Sequence, residues 1–288
     1  MRVVACIPAR YGSTRFLGKV LAKDTGKFLI QHTYERACAA KLVERVIIAT
    51  DDEKVLAAAE SFGAECVLTS PDHQSGTDRI AEAVKRIADS GQRIADRKKP
   101  IPEPHCLTPD DIIINLQADE PEIDPESIDY VARLLIENPD YPMATLAADF
   151  ERAEQIADPN IVKVIVSCCA GRTRDEARGT NERVGRAICF SRCPIPYDRD
   201  AQGIGQVGQY KRHLGIYAYR KDFLLKITSL PQTLLEKAEK LEQLRAVENG
   251  FGILVGSVRH TCDGIDTPEQ YAAFVNRCKK PATEKDRV

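Results

Sequence analysis

The first 117 residues alternate short apolar runs with segments of helical periodicity, and few architectures accept that pattern. RVVACIP (2–8), RVIIAT (45–50), AECVLT (64–69) and DIIINLQ (111–117) read as strands. Between them, residues 28–41, 52–63 and 77–90 carry apolar side chains at helical spacing, the second stopping on Gly63. Strands alternating with helices of this length make βαβ units, so the expected fold is α/β with a mostly parallel central sheet. Ligands of such sheets bind at the carboxyl ends of the strands, which directs attention to the loops that follow them.

The later half is more mixed. MATLAADF (143–150), IVKVIVSCC (161–169), RAICFSR (186–192), RHLGIYAYR (212–220) and GILVGSV (252–258) read as strands. KAEKLEQLRAVENG (237–250) reads as one helix stopped by glycine, and TPEQYAAFVNRC as a closing helix with Thr267 as N-cap and Pro268 at N1. Residues 1–288 are expected to form one domain, with a smaller β-rich subdomain inserted over about 142–232. Two segments interrupt the pattern: 91–110, a proline-rich surface loop, and 170–185, dense in charge and glycine, an extended hairpin tip.

Composition narrows the function classes. Lys plus Arg is 41 against 43 acids, so the net charge of −2 disfavours a general nucleic-acid binder and makes any anion site local. No apolar run approaches a membrane span, and MRVVACIPAR is too short and too soon charged for a signal peptide. The ten cysteines are therefore expected to be reduced thiols of a cytoplasmic protein. They show no C-x-x-C pair, and the five histidines no H-x-x-x-H spacing, which removes the usual zinc sites. Nor is there a G-x-S-x-G elbow, a Walker loop or a G-x-G-x-x-G fingerprint.

The loop after the first strand, IPARYGSTRFLGK (7–19), holds Arg10, Arg15 and Lys19 among Gly12, Gly18, Ser13 and Thr14. Cations beside free backbone N–H groups suit a polyphosphate, although a solvated charged loop would read the same way. INLQADEP (114–121) ends a strand on Gln117 and places Asp119 in the exposed turn, where a carboxylate can hold Mg²⁺ on a nucleotide or simply serve the turn. Asp266, before the closing helix, is a cap acid or the partner of Asp119. In TSPDHQSGTDRI (69–80), Thr77 is expected to cap the next helix and Gln74, Ser75 and Gly76 to touch a ligand. His213, at a strand start, reads first as a structural histidine.

Taken in order, IPARYGSTRFLGK, ATDDEKV, DHQSGTDRIAEAV, NLQADEP, MATLA, CFSRCPIPYDRD, KRHLGIYAYR, LEQLRAVENG and GIDTPEQ resemble the 3-deoxy-manno-octulosonate cytidylyltransferases, the CMP-KDO synthetases. The likeness covers nearly the whole chain apart from 91–110, 170–185 and the tail. It implies a Rossmann-like nucleotidyltransferase fold of the GT-A type and the reaction of CTP with the acid sugar KDO to give CMP-KDO and pyrophosphate, for lipopolysaccharide biosynthesis, with Mg²⁺. It further implies that Arg10, Ser13, Arg15 and Lys19 hold the triphosphate, with Arg15 and Lys19 serving the leaving group. Gln74, Ser75, Gly76 and Gln117 would recognise cytidine, and Asp119 and Asp266 would bind metal. Arg192, His213, Tyr217, Glu242 and Gln243 would meet the sugar, and the subdomain would form a homodimer. Two positions depart from the family: Leu17 stands where proline is usual and Ala118 where glycine is. Neither removes a charged or metal-binding group. An enzyme for another acid sugar, such as a sialic acid, is the alternative. A metal-dependent glycosyltransferase would show Asp-x-Asp where this chain has Ala-Asp-Glu, and a regulatory nucleotide-binding module would not need the full set of cations and acids.

Overall fold

The computed structural model describes residues 1–12, 16–89, 107–167, 172–175, 180–259 and 264–279. The N-terminal alternation forms as the periodicity predicts: β1 (Val3–Ala9), α1 (Leu29–Ala39), β2 (Arg45–Thr50), α2 (Glu53–Ser61), β3 (Glu65–Leu68), α3 (Gly76–Asp89) and β4 (Ile112–Asn115). Next comes α4 (Pro125–Glu137), whose N-cap Asp124 accepts from the Glu126 N–H at 3.1 Å, with proline in the first turn. The remainder is β5 (Met143–Asp149), α5 (Ala153–Ala157), β6 (Lys163–Val166), β7 (Arg172–Asp175), β8 (Thr180–Ser191), β9 (Lys211–Arg220), α6 (Lys221–Ser229), α7 (Leu234–Glu239), α8 (Gln243–Glu248), β10 (Ile253–Val258) and α9 (Pro268–Lys279).

The strands make one sheet in the order β3-β2-β1-β4-β9-β5-β10-β8-β6, with β7 paired to β8. The first four neighbours are parallel, but β9 lies antiparallel between β4 and β5, and β8 is antiparallel to both β10 and β6. The sheet is thus mixed rather than mostly parallel. β4 and β5, joined by the helix α4, run the same way, and β9, which returns from β8 without a crossover helix, fills the gap between them in the opposite sense. Of the segment 142–232, β5 and β9 lie inside the central sheet, while β6, β7 and β8 extend it past β10. The expected hairpin at 170–185 is seen in the antiparallel ladder from Arg172↔Arg183 to Asp175↔Thr180. Its tip, 176–179, and most of the 91–110 loop lie outside the described residues.

Alternation along β1 shows how the sheet is covered. Val3, Ala5, Ile7 and Ala9 enter one core with residues of α1, α2 and α4, while Val4 and Cys6 enter a second with α3, α6 and α8. Both faces are therefore buried, and only the strand ends can open to a ligand. The closing helix α9 packs Tyr271, Phe274 and Val275 against Leu29 and Ile265. Residues 237–250 do not form a single helix. Lys240 takes a left-handed φ of 54° and divides α7 from α8. No helix of the described residues is long and apolar enough to cross a membrane.

Candidate active site

The carboxyl ends of β1 and β4 lie side by side, Cys6 opposite Asn115, so the loops that follow them meet. The first loop is closed at its neck, where the Gly18 N–H donates to Tyr11 O at 3.0 Å. Gly18 has φ 68°, and a Cβ there would come within 3.1 Å of the Tyr11 ring, so glycine is required on both counts. Ser13 and Arg15 lie outside the described residues. Arg10 is exposed and reaches across to donate to His73 O, which brings it beside Gln74.

Lys19 is the centre of the arrangement. Its ammonium donates to Asp119 Oδ2 at 2.5 Å, to Asp266 Oδ1 at 3.0 Å and to Ile265 O at 2.9 Å. The side chain is only 11% exposed, against 25% for Asp119 and 41% for Asp266. Burial works against its charge, but the field and hydrogen bond of Asp119, joined by Asp266, outweigh burial and hold its pKa above the ordinary lysine value. The backbone fixes the two acids relative to each other, because Ile265 N donates to Asp119 O at 2.8 Å. At the start of α9, Gln270 Oε1 accepts from the N–H groups of Asp266 (2.7 Å) and Thr267 (3.0 Å), and Thr267 Oγ1 accepts from Gln270 N at 3.3 Å. Thr267 caps α9 as its sequence position predicts, and the same box orients Asp266.

Among the described residues, no three His, Cys, Asp or Glu side chains gather around a metal position. Two convergent carboxylates nevertheless suit Mg²⁺, which takes one or two protein carboxylates and completes its shell with substrate phosphates and water. The donor set fits that ion and does not resemble a zinc site.

Gln117, two residues before Asp119, lines a cavity of about 260 Å³ together with Thr77, His213, Tyr217, Glu242 and Gln243 among others. The antiparallel sense of β9 places the two aromatic residues there. Asn115, at the carboxyl end of β4, pairs with Tyr217 in the second half of β9, so the first half of β9 runs on past the edge where β4 ends. A bulge between Thr145 and Leu146 shifts the register so that Gly215 and Ile216 are extra residues on β9. Thr145 Oγ1 secures it, at 2.7 Å from Ile216 O and 3.1 Å from Leu214 O, with His213 Nε2 at 3.0 Å. Gln117 Nε2 contacts the bulge from the other side at Gly215 O, 3.4 Å away.

His213 is 9% exposed and packs edge-on against Phe190 at 5.0 Å. Burial lowers its pKa from 6.5 to about 3, so it is a neutral imidazole at the cavity wall. Burial likewise pushes Tyr217 well above the usual phenol value, with Tyr219, Glu242 and Glu120 adding to the effect. Glu242 is an exposed residue that lines the cavity. The partial desolvation raises its pKa, against hydrogen bonds from the Thr77 and Ser75 hydroxyls.

Two sequence expectations change here. Thr77 is not the cap of α3: Ser75 Oγ accepts from the Asp78 N–H at 3.1 Å, the N-cap bond, and Thr77 instead faces Asn115 and Glu242. Gly76 lies against β1, where a Cβ would come within 3.1 Å of Pro8. Gln74 is exposed and donates to Asp72 O at 3.1 Å. Arg192 does not line the cavity; its guanidinium donates to Glu239 O at 2.7 Å and Pro159 O at 2.9 Å. Ala118, 7% exposed, belongs to the core, whereas Leu17 is 70% exposed. Tyr219 and Lys240 line the cavity and were not singled out by sequence; the left-handed Lys240 had no signal within a run of strong helix formers.

The cytidylyltransferase family model matches residues 4–254. A 3-deoxy-manno-octulosonate cytidylyltransferase of Solibacter usitatus (strain Ellin6076) is 43% identical over 268 residues, covering 93% of this chain and 91% of that protein. The chain belongs to the 3-deoxy-manno-octulosonate cytidylyltransferase family. A second relative of that name, from Geobacter sulfurreducens (strain ATCC 51573 / DSM 12127 / PCA), is 39% identical over 287 residues, covering 97% of this chain and all of its own length. Among solved structures, CMP:2-keto-3-deoxy-manno-octonic acid synthetase complexed with CTP aligns at a TM-score of 0.76 and 38% identity, covering 96% of this chain and 98% of the other. The α/β nucleotidyltransferase fold is thus common to the family and this chain.

Proposed function

We infer that this chain is an enzyme that transfers the cytidylyl group of CTP to KDO, giving CMP-KDO and pyrophosphate. The observation that carries the reading is the ammonium of Lys19 held between Asp119 and Asp266, with Asp119 two residues past Gln117, which lines a cavity with His213, Tyr217, Glu242 and Gln243. Arg10, Ser13, Arg15 and Lys19 would take the triphosphate; Gln74, Ser75, Gly76 and Gln117 the cytidine; His213, Tyr217, Glu242 and Gln243 the sugar. Arg192 would act on the sugar through the α7 terminus that it holds.

The sugar's anomeric hydroxyl attacks the α-phosphorus, the bond from that phosphorus to the oxygen bridging to the β-phosphate breaks, pyrophosphate departs with the electron pair, and the hydroxyl proton is lost to water. Little covalent help is needed, so the protein contributes position and charge. Lys19 and Arg15 neutralise the departing group. Asp119 and Asp266 would hold Mg²⁺, which when bound neutralises phosphate charge. Neutral His213 and Tyr217 supply hydrogen bonds without adding charge to the cavity.

A homodimer through the 142–232 segment is part of the proposal, supported by the exposed apolar side chains Ile188 (55%) and Tyr197 (68%). A cytoplasmic setting is in keeping with free thiols at Cys6, Cys38, Cys66, Cys189, Cys193 and Cys278. The test is product identification by mass after incubation with Mg²⁺, CTP or ATP, and KDO or N-acetylneuraminate. CMP-KDO from CTP and KDO is expected. A nucleotide sugar formed only from the sialic acid would overturn the substrate assignment.

A further inference from the structure

The geometry points to Tyr271 as a positioning residue that grips the Lys19 segment at both ends and holds it against the start of α9, where Asp266 stands. The inference deepens the functional reading given above and rests on it. Tyr271 is 6% exposed, on the first turns of α9, with its N–H donating to Thr267 O at 3.0 Å. Its ring meets Phe16 at 5.6 Å between centroids, and its hydroxyl accepts from the backbone N–H of Asp24 at 2.8 Å. Phe16 lies three residues before Lys19 and Asp24 five after it, so one side chain contacts the chain on both sides of the lysine. The same ring rests on Phe274 at 6.4 Å, which ties the clasp to the body of α9.

The consequence is geometric. Lys19 reaches three acceptors, two of which, Ile265 O and Asp266 Oδ1, belong to the segment leading into α9. Gln270, the neighbour of Tyr271, fixes Asp266 through its N–H. Adjacent residues of one helix therefore set both members of the Lys19–Asp266 pair: Gln270 sets the acid and Tyr271 the lysine segment. A shift of that segment by about 1 Å is enough to lower a rate greatly. Phe16 also adjoins the phosphate loop, so the clasp serves the nucleotide side of the reaction and leaves the sugar cavity alone. Tyr271 is not among the residues that line that cavity.

The test compares wild type with Tyr271→Phe, which keeps the ring and loses the acceptor for Asp24 N–H, and Tyr271→Leu, which loses both. Steady-state constants for CTP and for KDO are measured well below each protein's melting temperature. The expected result is a fall in kcat/KM for CTP of about tenfold in Tyr271→Phe and about a hundredfold in Tyr271→Leu, with KM for KDO within about twofold. Phe16→Leu should lower the same constant, and combined with Tyr271→Leu the two losses should not add. Variants that melt earlier but keep kcat/KM for CTP within about twofold would make Tyr271 merely structural and overturn the inference, as would equal effects on both substrates. If Tyr271→Leu does not fold, Tyr271→Phe decides alone. A wild-type chain that neither turns over nor binds CTP overturns the functional reading, and this inference with it.

Discussion

His213 offers a prediction whose size follows from its surroundings. The imidazole packs between Thr145 and Phe190, 9% exposed, and burial lowers its pKa from 6.5 to about 3. Below pH 6.5 the unfolded chain binds a proton at this residue that the folded chain refuses, so stability falls as the pH drops. Each pH unit between the two values costs about 1.4 kcal/mol. Between pH 7 and pH 5 the loss is about 2 kcal/mol, and because pH 5 lies well above the folded value, that figure is set by the unfolded one. His213→Gln keeps a donor for Thr145 Oγ1 and has no proton to gain. Urea unfolding of both proteins at pH 7 and pH 5 isolates the histidine, since all other groups cancel in the difference. Wild type should lose about 2 kcal/mol more than His213→Gln over that interval. Equal pH dependence to within about 0.5 kcal/mol would refute the burial argument. It would also return a cationic His213 to the list of groups able to bind a sugar carboxylate.

Two further outcomes follow from the break between α7 and α8. Arg245 and Glu236 form a buried ion pair across it, Nη2 to Oε1 at 2.5 Å with side chains 8% and 3% exposed, so Glu236→Ala leaves an uncompensated guanidinium. A loss of about 3–5 kcal/mol by urea unfolding is expected, and one below about 1 would contradict that role. Lys240 is the one cation among the described residues lining the cavity, so Lys240→Met should raise KM for KDO about tenfold and leave KM for CTP unchanged. An unchanged KM for KDO would remove it from sugar binding.

Much of the fold was legible because β1 to β4 and their helices obey simple periods and carry their own stops, such as Gly63. The sense of β9 was not, because pairing direction depends on how the chain returns and not on local pattern. That matters for the site, since the antiparallel sense sets Tyr217 opposite the last residue of β4 and carries the earlier His213 past that edge. The break at Lys240 was hidden among strong helix formers, and tertiary bonds such as Thr77 to Glu242 outweigh that propensity. Ser75 rather than Thr77 caps α3, since either hydroxyl could have done so. Lys19, Asp119 and Asp266 were each nameable from sequence. Their meeting was not, being a contact across 100 and 247 residues.

The most direct measurement is pyrophosphate release in the presence of CTP, KDO and Mg²⁺, by wild type and by Asp266→Asn side by side, with melting curves for both. Wild type should release one pyrophosphate per CMP-KDO, and the variant should be slower by at least about 100-fold at a similar melting temperature. No release by wild type, or a variant within about threefold of it, would contradict the claim that Lys19, Asp119 and Asp266 form the site of nucleotidyl transfer.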